Sequence, residues 1–277
     1  MVNVSSRFEV DGHGVVVTGG ASGLGLAYGE VLAAHGARVT LIDVDADTVR
    51  AQASRLQGEG LDVRAAAADV TDHEVLDRAI DEAAETYGRL DVAFANAGID
   101  PGVGFVGAWA GDTRPRVEEG ALERYTTERW NRVIDINLNG IFATARAAVR
   151  HMRPRRFGRI IVTTSLAATT VEGVIGSAYL AAKAGARHFM HALALEVAAY
   201  GITANAIAPG FFVTNIGGGH AHNPEAQAAI AKDIPMHRVG WPDDIKALAL
   251  FLASPASEYI TGQEIVIDGG WGLGIAD

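Results

Sequence analysis

Cysteine is absent from the 277 residues, which excludes disulfide staples and thiol nucleophiles and is compatible with a reducing cytoplasm. Runs of positive charge are missing as well: the formal net charge is −10 and the densest basic stretch is "RPRR" at 153–156. A surface that tracks nucleic-acid phosphates is therefore not expected. No apolar run approaches the roughly 20 residues that a membrane-spanning helix needs. The opening "MVNVSSRFEVDGHG" holds no apolar core of signal-peptide length. Fixed-period repeats and low-complexity linkers are lacking too. These absences leave the expectation of a soluble, cytoplasmic chain whose 49% hydrophobic composition can fill one large core. A single domain over 1–277 is the simplest organisation.

Short apolar runs alternate with longer amphipathic segments. "GVVVTGG" (14–20), "RVTLID" (38–43), "DVRAAAADV" (62–70), "LDVAFANAG" (90–98), "GRIIVTT" (158–164), "ITANAIAPG" (202–210) and "EIVIDGG" (264–270) read as strands. Helices are expected at 25–37, 72–88, 126–152, 177–200 and 242–253. Strands that are apolar throughout belong in a parallel sheet covered on both faces. Repeated βα units give an α/β, doubly wound Rossmann-type parallel sheet of about seven strands with helices on both faces. Residues 99–125 break the rhythm with glycines and Pro101 and Pro115, and loops of that length are functional or mobile.

The first strand runs into Gly19, Ser22, Gly23, Leu24 and Gly25 of "TGGASGLG". Glycines there allow a tight turn and close backbone approach, and the open N–H groups of a helix start bind phosphate. Asp43 ends the second strand, where a carboxylate binds an adenosine ribose hydroxyl and repels a 2′-phosphate. The competing role for Asp43 is a helix cap, for which Asp45 or Asp47 is better placed. No Arg or Lys in "GGASGLG" stands ready for a 2′-phosphate, so NAD is favoured over NADP.

Tyr179 and Lys183 are four apart in an expected helix, so they share a face. A free phenol, with a pKa of about 10, is a poor proton acceptor at neutral pH. An adjacent ammonium and the first turn of a helix both favour the phenolate. Taken alone, the pair is better explained by an ordinary amphipathic helix, since i,i+4 pairs are common on helices.

The ordered set Gly19, Gly23, Gly25, then Asn96-Ala97-Gly98, Asn137 and Tyr179-x-x-x-Lys183 resembles the short-chain dehydrogenase/reductase family. The match extends through "DVTD" (69–72), "NAIAPGFFVT" (205–214) and "ITGQEIVIDGG" (260–270). The resemblance implies NAD(P)-linked interconversion of an alcohol and a ketone, with Tyr179 as general acid/base. It also implies that Lys183 bonds the nicotinamide ribose and that Asn137, rather than Asn139, helps hold a water leading to solvent. Asp69 and Val70 fall in its adenine pocket, Asn96, Ala97 and Gly98 on the cofactor side of a strand end, and Pro209, Gly210 and Thr214 on the nicotinamide side. A homo-oligomer, dimer or tetramer, is common in the family.

The family's serine lies thirteen residues ahead of the tyrosine, and that position is Leu166 here. Ser165 follows "IIVTT" directly, and one inserted residue in "TTVEGVIG" restores the register, since loops accept insertions more readily than strand ends. Ser165 is the preferred substrate-polarising hydroxyl. Thr164 is the runner-up, and strand alternation keeps the two from facing the same way.

Residues 211–240 match the segment that closes over substrate in the family, with Gly217, Gly218 and Gly219 as a mobile point and Phe211, Phe212, Ile216 and Met236 as pocket candidates. Trp109 is a candidate for shaping the pocket or an oligomer contact. His220 and His222 lack a third ligand, so no metal is expected. The substrate expected from these apolar segments is a cyclic or aromatic secondary alcohol. Two other readings are a non-catalytic dinucleotide-sensing module, which needs no activated phenol, and a cofactor-free lyase-type relative, which needs no phosphate loop.

Overall fold

The computed structural model describes residues 4–99, 102–107, 113–216 and 219–274. Seven strands, β1 (Gly14–Thr18), β2 (Arg38–Asp43), β3 (Val63–Ala67), β4 (Val92–Ala95), β5 (Gly158–Thr163), β6 (Ile202–Pro209) and β7 (Glu264–Ile267), form one sheet in the order β3-β2-β1-β4-β5-β6-β7. Every pairing is parallel, with Val15 opposite Val39 on one side of β1 and Val92 on the other.

The uninterrupted apolar strands follow from cover on both faces. Val15 and Val17 point with Val39, Leu41 and Phe94 to one side. There they meet α1 (Gly23–Ala34), α2 (Ala46–Gly58) and α8 (Pro242–Ala253) through Leu32, Leu56 and Leu252. Val16, Ala93, Ile160 and Val162 point to the other side. They pack under α3 (His73–Tyr87), α5 (Gly140–Arg155) and α6 (Ser177–Val197) through Ile80, Ile141 and Met190. Strand order reverses beside β1, and in such sheets the crevice at the carboxyl ends of the strands there is the ligand position.

The strands stop earlier than their apolar runs, β1 at Thr18 and β4 at Ala95, because the glycine-bearing continuations turn across the sheet edge. The single helix expected over 126–152 is divided. α4 (Thr127–Ile134) passes into a π-helical turn at Asp135–Asn139 before α5 begins, and such one-turn widenings are frequent at functional sites. Residues 211–240 contain a helix that the sequence pattern did not suggest, α7 (Pro224–Ala231), started by Asn223.

The described parts of 99–125 are not a bare loop. Val106 bridges Arg116, and Val103 bridges Ile175 of the segment before α6. The ribbon is tied there by Gly104 N to Val174 O at 3.1 Å and Val106 N to Gly173 O at 3.0 Å. Trp130 on α4 packs edge-on against Tyr125 and is 37% exposed. Pro101, Trp109, Gly217 and Gly218 lie outside the described residues. No helix among the described residues is long and apolar enough to cross a membrane.

Candidate active site

The loop after β1 is shaped by close approach. Gly19 has φ +67°, and a Cβ there would lie 2.9 Å from Ala97 Cα, while one on Gly25 would lie 2.0 Å from the Gly19 carbonyl oxygen. Only hydrogen fits at either place. Thr18 accepts from Asn96 N at 3.1 Å and Ala97 N at 3.3 Å, and Asn96 Nδ2 donates to Thr18 O at 3.0 Å. The β1 and β4 ends are thereby sewn together. Ser22 precedes α1 in extended conformation without capping it through its side chain, so no side-chain oxygen of Ser22 takes up the first amides of Gly23, Leu24 and Gly25, the groups that at a helix start can bind an anion.

Asp43, half-buried at the end of β2, accepts from Ala21 N at 3.0 Å and from Asp45 N at 3.0 Å. The cap of α2 is Asp45, which accepts from Thr48 N at 3.0 Å. Exposed Asp69 closes a turn on Thr71, while Val70 is buried against Gly140. Thr214 lies against Gly23, where a Cβ would be 3.3 Å from it, so the segment after β6 meets the glycine loop. Pro209 ends β6, and Gly210 donates to Ile267 O at 3.0 Å.

A second cluster forms where β4, the π-helical turn and α6 meet. Lys183 is 3% exposed, and its Nζ donates to the Thr163 carbonyl at 2.9 Å. The same Nζ is 5.5 Å from the centre of the Tyr179 ring. Burial lowers the Lys183 pKa to about 8. Asn137, fully buried, exchanges bonds with the Ile99 backbone at 3.3 and 3.4 Å and donates to Val133 O at 3.2 Å. A Cβ on Gly98 would be 2.8 Å from Asn137 Oδ1 and 3.7 Å from Lys183 Nζ, so Gly98, Asn137 and Lys183 are brought together. Asn139 instead bonds Asp135 on the exposed side. Thr163 joins the two clusters, since its hydroxyl donates to Asn96 Oδ1 at 3.0 Å while its carbonyl holds Lys183.

The neighbouring hydroxyls part company as strand alternation requires. Thr164 is 2% exposed, and its hydroxyl is directed at Glu264 Oε1 at 2.7 Å and Ile207 O at 3.1 Å. Ser165 leaves the strand half-buried and accepts from Ala167 N at 3.2 Å. Its own hydrogen remains available to a substrate oxygen.

Phe211, Phe212 and Met236 line a cavity of about 360 Å³ together with Arg238, Asp268 and Gly270. Ile216 is 46% exposed and does not line it. Tyr179 and Ser165 are not among its lining residues. His222 bonds Asn215 at 2.9 Å. Glu172, in the segment that receives the 103–106 ribbon, has its carboxyl pKa raised by burial, with Arg114 opposing and Asp233 reinforcing the shift. Sequence reasoning missed Thr18, Thr163, Glu172 and Glu264. Thr163 holds Lys183 through its backbone carbonyl and Glu264 reaches Thr164 from a distant strand, and neither leaves a local pattern.

Fold and crevice define the class of dinucleotide-binding Rossmann proteins. A family pattern described as enoyl-(acyl carrier protein) reductase matches residues 19–272. The chain is 35% identical over 266 residues to 3beta-hydroxysteroid dehydrogenase 1 of Eggerthella lenta, covering 96% of this chain and 95% of that one. It is 34% identical to the 3-oxoacyl-[acyl-carrier-protein] reductase FabG of Chlamydia pneumoniae, covering 94% and 96%. The crystal structure of a gluconate 5-dehydrogenase from Burkholderia cenocepacia in complex with NADP and tartrate superposes with a TM-score of 0.85 at 30% identity, covering 98% and 99%. The chain belongs to the short-chain dehydrogenase/reductase family, whose members are oxidoreductases that use nicotinamide dinucleotides on CH–OH groups.

Proposed function

We propose that this chain is an NAD-dependent oxidoreductase interconverting a secondary alcohol and a ketone, with Tyr179 as general acid/base. The observation that carries the reading is the buried Lys183 ammonium held by the Thr163 carbonyl, one helical turn from Tyr179. An ammonium there favours the phenolate over the phenol. In oxidation Tyr179 accepts the alcohol proton, Ser165 donates a hydrogen bond to the same oxygen, and Asn137 holds the strand end through Ile99. When bound, the nicotinamide supplies the hydride acceptor or donor.

The chain fits a dinucleotide. Gly19 and Gly25 open a cradle that any Cβ would fill, and the α1 start offers amides to the pyrophosphate. Asp43 stands where the adenosine ribose would lie, and its charge supports NAD. The NADP-bound gluconate 5-dehydrogenase shows that a related fold also accepts the phosphorylated form, so the preference rests on Asp43 itself. When the cofactor is bound, Pro209, Gly210 and Thr214 would flank the nicotinamide, and Asp69 and Val70 the adenine.

We read one catalytic domain with substrate segments at 99–125 and 211–240. An apolar cyclic or aromatic alcohol is supported by exposed Val103 and Phe105 on the ribbon docked ahead of Tyr179 and by the hydroxysteroid named for one relative. A homo-oligomer is supported by the apolar groove of α5 and α6 carrying Phe142, Phe189 and Leu193. A cytoplasmic location fits an enzyme that draws on the shared NAD pool.

The test is NADH formation with cyclohexanol, 1-phenylethanol, a 3-hydroxysteroid and a sugar alcohol. Tyr179→Phe should lower kcat by at least about a thousandfold, the scale of losing acid-base catalysis, while NADH binding followed by fluorescence is retained. Substantial turnover in that variant defeats the assignment. Absence of hydride transfer across a wide alcohol panel, with intact NADH binding, returns the dinucleotide-sensing reading.

A further inference from the structure

Tyr179, Lys183 and Arg187 are spaced by four along α6, so their side chains leave one face in successive turns. Lys183 bonds the Thr163 carbonyl. One turn on, Arg187 Nε donates to Glu264 Oε2 at 2.7 Å. Glu264 opens β7 with a side chain only 6% exposed, and its other oxygen accepts from the Thr164 hydroxyl at 2.7 Å. Two successive turns of the helix are thus tied to two successive residues of the β5 end, and the next residue is Ser165.

We propose that the Arg187–Glu264–Thr164 bridge is a positioning device that fixes the spacing between the Ser165 and Tyr179 hydroxyls. The inference rests on reading those two hydroxyls as the pair that meets the substrate oxygen. Both must reach one atom within hydrogen-bond distance, roughly 2.6–3.2 Å, although one sits on a strand end and the other on a helix. The connecting segment 166–176 is tied near its start by the Thr169 and Thr170 hydroxyls on Leu166 O and near its end by the 103–106 ribbon, but between them it is open, with Val171 81% exposed. Core packing through Ala186 and Met190 holds α6 against the sheet, but apolar contacts are not directional, and Lys183 is the polar contact that sets the Tyr179 end of the helix against the β5 end. A second polar tie one turn away, about 6 Å along the axis, fixes the register of the helix against that strand end at two points. The bridge suits that task because the guanidinium fork is planar and directional and both carboxylate oxygens are occupied. Glu264 neither lines the glycine loop nor contacts Lys183, so its effect reaches the chemistry only through the elements it joins.

The test uses the full-length protein with NAD and either cyclohexanol or 1-phenylethanol. Glu264→Gln preserves every bond if the Thr164 hydroxyl reverses: the amide nitrogen donates to Thr164, Thr164 donates to Ile207 O, and the amide oxygen accepts from Arg187. Its kcat should stay within about twofold of the parent. Glu264→Leu, which cannot bridge, should lose about tenfold or more in kcat, in line with the sensitivity of rate to small misplacements, with NADH affinity unchanged. Because the loss passes through Ser165, the Ser165→Ala/Glu264→Leu double variant should be no slower than Ser165→Ala alone. A lowered Tm with unchanged kcat, or losses that multiply in the double variant, overturns the proposal. Should Glu264→Leu not fold, Arg187→Met gives the same readout from a half-exposed position. An active Tyr179→Phe enzyme would instead overturn the functional reading itself, whereas an inert Tyr179→Phe beside a fully active Glu264→Leu removes only the positioning role.

Discussion

Lys183 donates its ammonium hydrogen to a backbone carbonyl, that of Thr163 at 2.9 Å, and has no carboxylate of its own in that bond. A carbonyl orients the ammonium without neutralising it, so its positive charge stays directed at the neighbouring phenol. Burial is the accompanying penalty, and it appears as the pKa lowered to about 8. The amine remains charged at neutral pH yet loses its proton far more readily than a surface lysine.

That shift makes stability depend on pH in a definite direction. The folded amine has a pKa of about 8 and the unfolded one 10.5. Below pH 8 the group is charged in both states and the full burial penalty, roughly 3 kcal/mol, weighs against folding. Between pH 8 and 10.5 the unfolded chain holds more protons, so stability rises with pH across that window. Lys183→Met should flatten this rise, giving a gain in apoprotein unfolding free energy over the parent at pH 7 that shrinks by pH 10. Chemical denaturation at the two pH values measures it, and a gain that does not change with pH contradicts the burial argument.

Asp43 offers a test of cofactor preference that separates charge from shape. Its carboxylate also accepts from Ala21 N, so Asp43→Ala removes both a ribose partner and a loop bond. Asp43→Asn keeps the shape and one acceptor, enough for Ala21 N, while it removes the charge and the oxygen that accepts from Asp45 N. The NAD-over-NADP ratio in kcat/KM should fall about 10- to 100-fold in the alanine variant, the worth of one charged hydrogen bond. The asparagine variant should approach it mainly by improved NADP use. Equal use of both cofactors by the parent enzyme would refute the preference.

The sheet was legible in the sequence because unbroken runs such as "GVVVT" and "GRIIVT" carry the signature of strands covered on both faces. The dinucleotide end was legible because glycine leaves a pattern wherever backbone meets backbone, as at Gly19 and Gly25. Other features were not legible for physical reasons. The π-helical turn around Asn137 is a one-residue change of winding inside an otherwise helical pattern. The docking of Val103 and Val106 onto 173–175 depends on distant backbone groups. Thr164 and Ser165 look alike in sequence, and only the Glu264 carboxylate arriving from β7 shows which way Thr164 points.

Gly25→Ala probes the cradle directly. Its Cβ would lie 2.0 Å from Gly19 O and 2.5 Å from Asn96 Nδ2, so the start of α1 must move away from the β4 end. Overpacking of this kind costs about 1–3 kcal/mol, and the displaced amides should weaken NADH binding at least about tenfold. Fluorescence titration with NADH reads the affinity, and an unchanged Kd in a folded variant would show that the loop does not form the phosphate site.

Ser165 and Thr164 remain the sharpest pair to separate, since each removal takes away one hydroxyl and the two lie on opposite sides of the chain. Ser165 Oγ accepts from Ala167 N at 3.2 Å and keeps its hydrogen for a ligand, whereas the Thr164 hydrogen is taken up by Glu264 and Ile207. Ser165→Ala should therefore lower kcat about 100- to 1,000-fold, the usual loss when one donor to a developing oxyanion is removed. Thr164→Val should lower kcat by a smaller factor, because it loosens the bridge to Glu264 while leaving Ser165 in place. Steady-state oxidation of 1-phenylethanol compares them. If Ser165→Ala retains full turnover while Thr164→Val abolishes it, the one-residue insertion ahead of Tyr179 is wrong and Thr164 holds the substrate. The Glu264→Gln variant then decides why, since a catalytic Thr164 would be indifferent to the charge behind it only if its hydroxyl had turned toward the substrate.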